Sequence, residues 1–387
     1  MKRIYKIIIS SFLLLPLFSC EKDHGPSIDD HFLNYEIPEV PVTADYLVGM
    51  VYNYTVSSYG GNNEVIELFS TPPVLGRYSK ITDPVTLDGE SMQALDAHLK
   101  WMNDAKVDYL ILTLRSGSTA YSSYQSDSTY IERILESPYR GNIKIAIQYD
   151  FSGLKLGSTA PSEKDQSMLI ENKGLVDSYI NDYVKFMEPF FKRDSYQKIG
   201  NKVLVFLDKA YQLYSSDNIA LTQNLRDKLL EAGYEIYLAG MQKEWTPPAR
   251  YEHRLKGAVD AIYHGPYANC PSNDLSRVVM FPTVTDQAWK YAKNMFNGWG
   301  IEYIPDISPA WNGNLAKPNA AGNYYNPYII RNADWFKTFC NVAKLNADGK
   351  RMIIVSSWNN WAYDSQMEPS EGYGTAFLDI LRSQFKL

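Results

Sequence analysis

From Tyr46 onward, short runs of β-branched, aliphatic and aromatic residues alternate with longer stretches in which apolar positions recur at helical spacing. The short runs are Leu47 to Tyr54, Tyr109 to Arg115, Lys144 to Asp150, Val203 to Asp208, Glu235 to Gly240, Ala261 to His264, Glu302 to Ile307 and Met352 to Ser357. Most are nearly continuous in apolar character, as strands covered on both faces must be. Helical patterns between them include Gly89 to Asn103, Leu175 to Phe191, Ile219 to Ala232, Gln287 to Trp299, Ala333 to Lys344 and Gly374 to Phe385, with Gly233 as a helix C-cap. Eight such strand–helix pairs predict an α/β chain, a (β/α)8 barrel with enlarged βα loops, ahead of a doubly wound open sheet. No glycine-rich phosphate-binding turn follows the first strand, which weakens nucleotide-binding versions of the open sheet.

The residues before Tyr46 read differently. Met1-Lys2-Arg3 and Lys6 precede an apolar run from Ile7 to Phe18 that is too short to span a bilayer. Its ending, Leu17-Phe18-Ser19-Cys20, resembles the bacterial lipobox, which implies a signal peptide over residues 1–19 and acylation of Cys20. Residues 20–44, with Pro26, Pro38 and Pro41 among polar and acidic positions, are expected to be a tether, leaving 45–387 as one catalytic-type domain. The chain is therefore expected to be exported and held at a membrane of the cell envelope through lipid.

Composition adds three constraints. With 45% hydrophobic residues and a net charge of −6, the chain can build a large core and offers no basic footprint for nucleic acid. Of 3 cysteines, Cys270 and Cys340 remain after Cys20, so one disulfide is possible and none is required. No spacing of metal-ligating residues indicates a metal, and no cofactor is expected. The 30 tyrosines and 8 tryptophans are unusual; aromatic faces suit sugars, although most rings in any protein are packing.

In a barrel of this type, chemistry belongs at the C-terminal ends of the strands. That rule selects Tyr52, Asn53 and Tyr54 at the first strand, Arg115 at the second, Gln148 and Asp150 at the third, and Asp208 at the fourth. It continues with Gln242, Glu244 and Trp245 at the fifth, Tyr263, His264 and Tyr267 at the sixth, Asp306 and Trp311 at the seventh, and Trp358, Asn359, Asn360 and Trp361 at the eighth. Carboxylates, amides and aromatic rings converging on one rim suit a polysaccharide or oligosaccharide. Each has a plainer reading: Asp150 and Asp208 as loop caps, Glu244 as a solvated residue, His264 as a satisfied core histidine. Trp358 and Trp361, flanking two asparagines, read most strongly as ligand-facing.

The segment Trp358-Asn359-Asn360-Trp361-Ala362-Tyr363-Asp364-Ser365-Gln366-Met367-Glu368-Pro369 resembles the strand-eight signature of the family 99 glycoside hydrolases and the related WbsX-like group, Trp-Asn/His-Glu-Trp-x-Glu-Gly-Thr-x-Ile/Leu-Glu-Pro. Pro73 to Tyr78 and Ile304 to Trp311 agree in order, so the likeness extends from about Gly49 to Phe385. The resemblance implies a (β/α)8 barrel and an endo-acting, retaining α-mannosidase. It also puts the catalytic carboxylates at two positions three apart, which here hold Asn360 and Tyr363. An amide cannot transfer the proton, and a phenol near pKa 10 is a poor general acid at neutral pH. A hydrolase therefore needs carboxylates elsewhere: Asp364 and Glu368 on the same loop, or Asp306, Asp208, Asp150 and Glu244 across the rim. The alternative is a glycan-binding barrel that has lost the pair, with Tyr363 among its binding residues. Transfer from sugar nucleotides, which the WbsX name implies, fits an exported chain poorly because those donors are cytoplasmic. A long loop from Gly313 to Tyr328 is expected to wall the cleft.

Overall fold

The computed structural model describes residues 35–55, 72–154, 166–242, 255–265, 281–312 and 328–387. Cys20, Glu244, Trp245, Tyr267, Cys270 and the loop 313–327 lie outside them.

The eight apolar runs form the strands β1 Leu47–Val51, β2 Tyr109–Arg115, β3 Lys144–Asp150, β4 Lys202–Asp208, β5 Ile236–Gln242, β6 Ala261–His264, β7 (Glu302–Ile304 and Asp306–Ile307) and β8 Met352–Val355. All eight are parallel and each pairs with its neighbour in sequence. β1 pairs with β8 through Leu47↔Met352, which closes the ring and leaves no free edge. Pro305 divides β7: the residues before it pair with β6 and those after it with β8, while its own carbonyl accepts from the Ile354 amide at 2.9 Å. The outcome is the predicted (β/α)8 barrel rather than an open sheet.

Helices α1 Ala94–Asp104, α2 Tyr121–Glu136, α4 Asn218–Glu231, α5 Phe281–Gly298, α6 Ala333–Asn346 and α7 Ala376–Phe385 surround it. Between β3 and β4, α3 runs through Val176–Asn181, a π-helical Asp182–Met187 and Glu188–Phe191. The expectation of a helix from Gly89 is corrected. Asp88 and Gly89 both take positive φ in a tight turn, so Pro84–Leu87 and Glu90–Gln93 pair as a hairpin and the helix starts at Ala94. Gly233 ends α4 at φ 89°, and its amide bonds the Leu230 carbonyl.

Two apolar layers follow from strand alternation. One lies between strands and helices; the other fills the barrel with residues such as Tyr109, Phe206, Ala239, Tyr263, Ile304 and Ile354. Gly49 belongs to the inner face, where a Cβ would stand 2.4 Å from the Tyr109 ring, so the glycine makes room for a bulky neighbour.

The chain divides into Met1–Glu36 and a compact unit Ile37–Leu387. Within that unit, the end of the expected tether is tied to α6: the Val40 amide donates to Asn341 Oδ1 at 2.9 Å and Lys344 Nζ donates to the Val40 carbonyl at 2.6 Å. Cys340 is buried and unbridged, its thiol pushed up by burial. No helix among the described residues is long and apolar enough to cross a membrane.

Candidate active site at the barrel mouth

Register puts Arg115, Asp150 and Asp208 in one row across β2, β3 and β4, at the last residue of each strand. Register partners on parallel strands project to the same face, and here that face continues the inner one. The three residues therefore converge on the C-terminal mouth of the barrel.

Asp127, buried on α2, clamps Arg115 through Nε at 2.9 Å, Nη2 at 2.6 Å and the Arg115 backbone amide at 2.9 Å. Asp150 accepts from the amide and the hydroxyl of Ser152, at 2.8 and 2.9 Å. Asp208 faces Lys209 at 3.4 Å. Burial pushes the Asp208 carboxyl up from its ordinary range, and the charge of Asp150 adds to this against the pull of Lys209. Beside the row is a cleft of about 310 Å³ whose lining includes Tyr52, Tyr54, Arg115 and Asp150.

The floor beneath is polar and cross-linked. Gln148 Nε2 donates to the Tyr263 hydroxyl at 2.9 Å, tying β3 to β6, and Thr113 Oγ1 lies 3.4 Å from Gln148 Oε1. Asp306 on β7 accepts from Ser356 Oγ at 2.9 Å through Oδ2, while its Oδ1 has no partner among the described residues. Tyr54 is held by the Thr113 carbonyl and stacks on Tyr130 at 5.2 Å.

The loop after β8 carries the candidates nearest the family signature, and the structure divides them sharply. Asn359 is buried and bonds the Asn53 backbone twice, Oδ1 accepting at 3.1 Å and Nδ2 donating at 2.8 Å, which docks the loop on the end of β1. Glu368 is sealed from solvent and accepts from Tyr78 Oη and Trp361 Nε1, each at 2.8 Å, with His98 Nε2 at 3.2 Å. His98 Nδ1 meets the Tyr52 hydroxyl at 3.0 Å. Asp364 binds Arg331 Nε at 2.9 Å, and Arg331 also donates to the carbonyls of Asp364 and Gln366 at 2.7 and 3.0 Å. Both carboxylates are committed to holding the loop, so the expectation that they serve as acid and base is corrected.

Trp358 and Trp361 are corrected likewise, since both are 0% exposed. Trp358 packs on His98 and Trp101 at ring distances of 5.4 and 6.4 Å, and Trp361 is spent on Glu368. Neither offers a ring face to a ligand. His264 is also buried, 5.1 Å from the Tyr303 ring on the outer side of β6. Partly exposed on this loop are Asn360 and Tyr363, whose ring stacks on Trp311 at 4.4 Å and 19°. Among the described residues, no group of three or more His, Cys, Asp or Glu could hold a metal.

Residue-level reasoning missed His98, Asp127, Tyr78 and Arg331. Of these, His98 and Asp127 left a signal, being polar residues on the buried faces of α1 and α2.

Comparison with known proteins agrees with the barrel. A solved "glycoside hydrolase-like protein" is 26% identical with a TM-score of 0.75, covering 93% of this chain and 99% of its own. The GH99 endo-alpha-mannosidase of Bacteroides thetaiotaomicron, solved in complex with bis-tris-propane, superposes with a TM-score of 0.56 at 14% identity, covering 89% of this chain and 96% of its own. A second structure of that enzyme gives 0.53, again at 14% identity, with 89% and 97% covered. No curated protein matches. The family model described as "Glycosyltransferase WbsX" matches residues 159–381, more than half of the chain and the part that supplies β4 to β8, so the protein belongs to the WbsX family and has a glycoside hydrolase-like barrel whose fold the GH99 enzyme shares.

Proposed function

We propose that the protein hydrolyses glycosidic bonds of a polysaccharide or oligosaccharide with Asp150 and Asp208 as its two carboxyls. The observation that carries this reading is their register pairing at the mouth, beside an arginine already fixed by Asp127. Adjacent strands run about 4.8 Å apart, which puts two in-register carboxyls nearer the ~5–5.5 Å of retaining pairs than the ~6.5–9.5 Å of inverting ones.

Asp208, whose burial favours the protonated form, is the acid, and Asp150, held by two Ser152 donors, is the nucleophile. Asp208 gives its proton to the leaving glycosidic oxygen while Asp150 bonds the anomeric carbon. Water then attacks that carbon, losing its proton to Asp208 and releasing Asp150. Asn360 and Tyr363 hydrogen-bond to sugar hydroxyls where the related enzymes carry carboxylates.

Reducing-sugar release from α-mannans and a panel of other polysaccharides, by the full chain and by D150N and D208N, tests this. Turnover abolished in both variants with glycan affinity kept is expected; turnover surviving in either would overturn the pair. One observation favours a second reading, a glycan-binding barrel without turnover: Asp364 and Glu368 are locked and the family positions hold Asn360 and Tyr363. Tight binding without product in the wild-type protein would establish it.

We also propose that the chain is exported and acylated at Cys20. Metabolic labelling with a palmitate analogue, lost in C20A, is the expected result.

A further inference from the structure

We propose that Asp306 works as an uncharged carboxylic acid, donating a hydrogen bond from Oδ1 to a hydroxyl oxygen of the bound sugar, and so sets specificity without joining the hydrolytic pair.

Asp306 is the register partner of Ile354 and lies two residues after Ile304, and both isoleucines belong to the layer that fills the barrel. Its side chain therefore points inward, at the end of a strand, on the floor of the mouth. The Ser356 hydroxyl, on the same face of β8, holds Oδ2 in place at 2.9 Å. Oδ1 is buried and has no hydrogen-bond partner among the described residues. A buried oxygen left open in an otherwise cross-linked floor is destabilising unless a ligand fills it.

Charge decides which form of the group occupies this place. The titratable groups that feel its charge are Tyr263 on β6 and, on the outer side of β7, Tyr303, neither of them cationic. No lysine or arginine among the described residues is paired with it. Burial accordingly holds its carboxyl well above the ordinary carboxylate range, against the opposing pull of Ser356. A neutral carboxyl has one hydroxyl to donate; with Oδ2 accepting from Ser356, that hydroxyl is on Oδ1. Carboxylic acids kept neutral by an apolar site are known hydrogen-bond donors in active sites.

The proposal rests on the carbohydrate reading above, but its first test needs no turnover. Protein labelled with carboxyl-¹³C aspartate is titrated by NMR, with D306N used to assign the signal. The result expected is a carboxyl that stays protonated at pH 7; a signal that titrates in the ordinary carboxylate range would overturn the proposal. The second test is binding of the glycan retained in the polysaccharide screen, measured in a D208N background. D306N, whose amide donates as the acid does, is expected within about 3-fold of the parent, and D306A about 10-fold weaker. Equal affinity of D306A and the parent would remove the specificity role even if the carboxyl proved neutral. Failure of D150N and D208N to abolish turnover would count against the hydrolytic pair alone and leave the NMR readout standing.

Discussion

Replacing Glu368 separates a scaffolding carboxylate from a catalytic one. The side chain accepts three buried donors: Tyr78 Oη and Trp361 Nε1 on Oε2, and His98 Nε2 on Oε1. Alanine would leave all three without an acceptor in a space water does not reach, at about 1–3 kcal/mol each. Because they share one site the costs are not additive, and a total of about 3–5 kcal/mol is expected, the range for breaking a buried charged network. Glutamine behaves differently. Its oxygen can take the Oε2 position and keep Tyr78 and Trp361, but its NH2 then faces His98 Nε2. The clash disappears if the His98 proton moves to Nδ1, where the Tyr52 hydroxyl oxygen can accept it at 3.0 Å. E368Q should therefore cost only about 1–2 kcal/mol, the price of one rearranged bond. Urea denaturation curves, compared at equal m, read both numbers. Activity supplies the second axis: E368Q should keep near-native turnover on any glycan the parent cleaves. A stable E368Q without activity would refute the reasoning, as would an E368A less than about 0.5 kcal/mol from wild type, the scatter of an ordinary surface change.

Three further outcomes follow from the same geometry. W358A should lose about 3–5 kcal/mol in denaturant without weakening glycan affinity in the fraction that folds, since the ring is wholly enclosed between β8 and α1; isothermal titration at low temperature checks the affinity. G49A should be destabilised by about 1–3 kcal/mol, because the new methyl must displace the Tyr109 ring, and the double variant with Tyr109→Phe should not recover it, the ring carbons being as close as the hydroxyl. D306N should be more stable than wild type at neutral pH and equal to it near pH 4. The folded carboxyl has its pKa raised, so its contribution is fully present below the unfolded value of about 3.9; it declines above that and is gone once the folded value is passed. Urea midpoints from pH 4 to 8 would show a D306N advantage that grows with pH, and a constant difference would refute it.

The strands were legible because burial on both faces leaves little choice of residue: Tyr-Leu-Ile-Leu-Thr-Leu at β2 and Val-Leu-Val-Phe-Leu at β4 are not amphipathic. The rim was legible by rule, since the residues that end each strand can be counted off once the strands are known. What could not be read was which rim residues face the mouth and which are sealed. That depends on partners far away in the chain, such as Tyr78 and His98 for Glu368, separated by 290 and 270 residues. The two tryptophans were misread for the same reason. A Trp-Asn-Asn-Trp segment after a strand looks exposed until α1 supplies His98 and Trp101 to cover one ring and Glu368 folds back to take the other's N–H.

Hydrogen-bond completion therefore sorts this rim better than residue type does. Glu368 and Asn359 have their acceptors filled by protein donors and Asp364 is tied to Arg331 through Oδ1, so a ligand could engage them only by disturbing what holds the loop. Asp208 and Asp306 are the opposite case. They sit where burial disfavours their charge, each with a protein contact on one side, a lysine for the first and a hydroxyl for the second. A protein gains nothing in stability from such carboxyls, because asparagine would fit the same positions without the penalty of ionisation. Their presence at the floor and lip of one mouth is what the proposed site for sugar hydroxyls and a glycosidic oxygen requires. It also accounts for how loop eight can carry Asn360 and Tyr363 in place of two carboxylates while its docking on β1 and α1 stays intact: the contacts that dock it run through Asn359 and Glu368, and neither replaced position takes part in them.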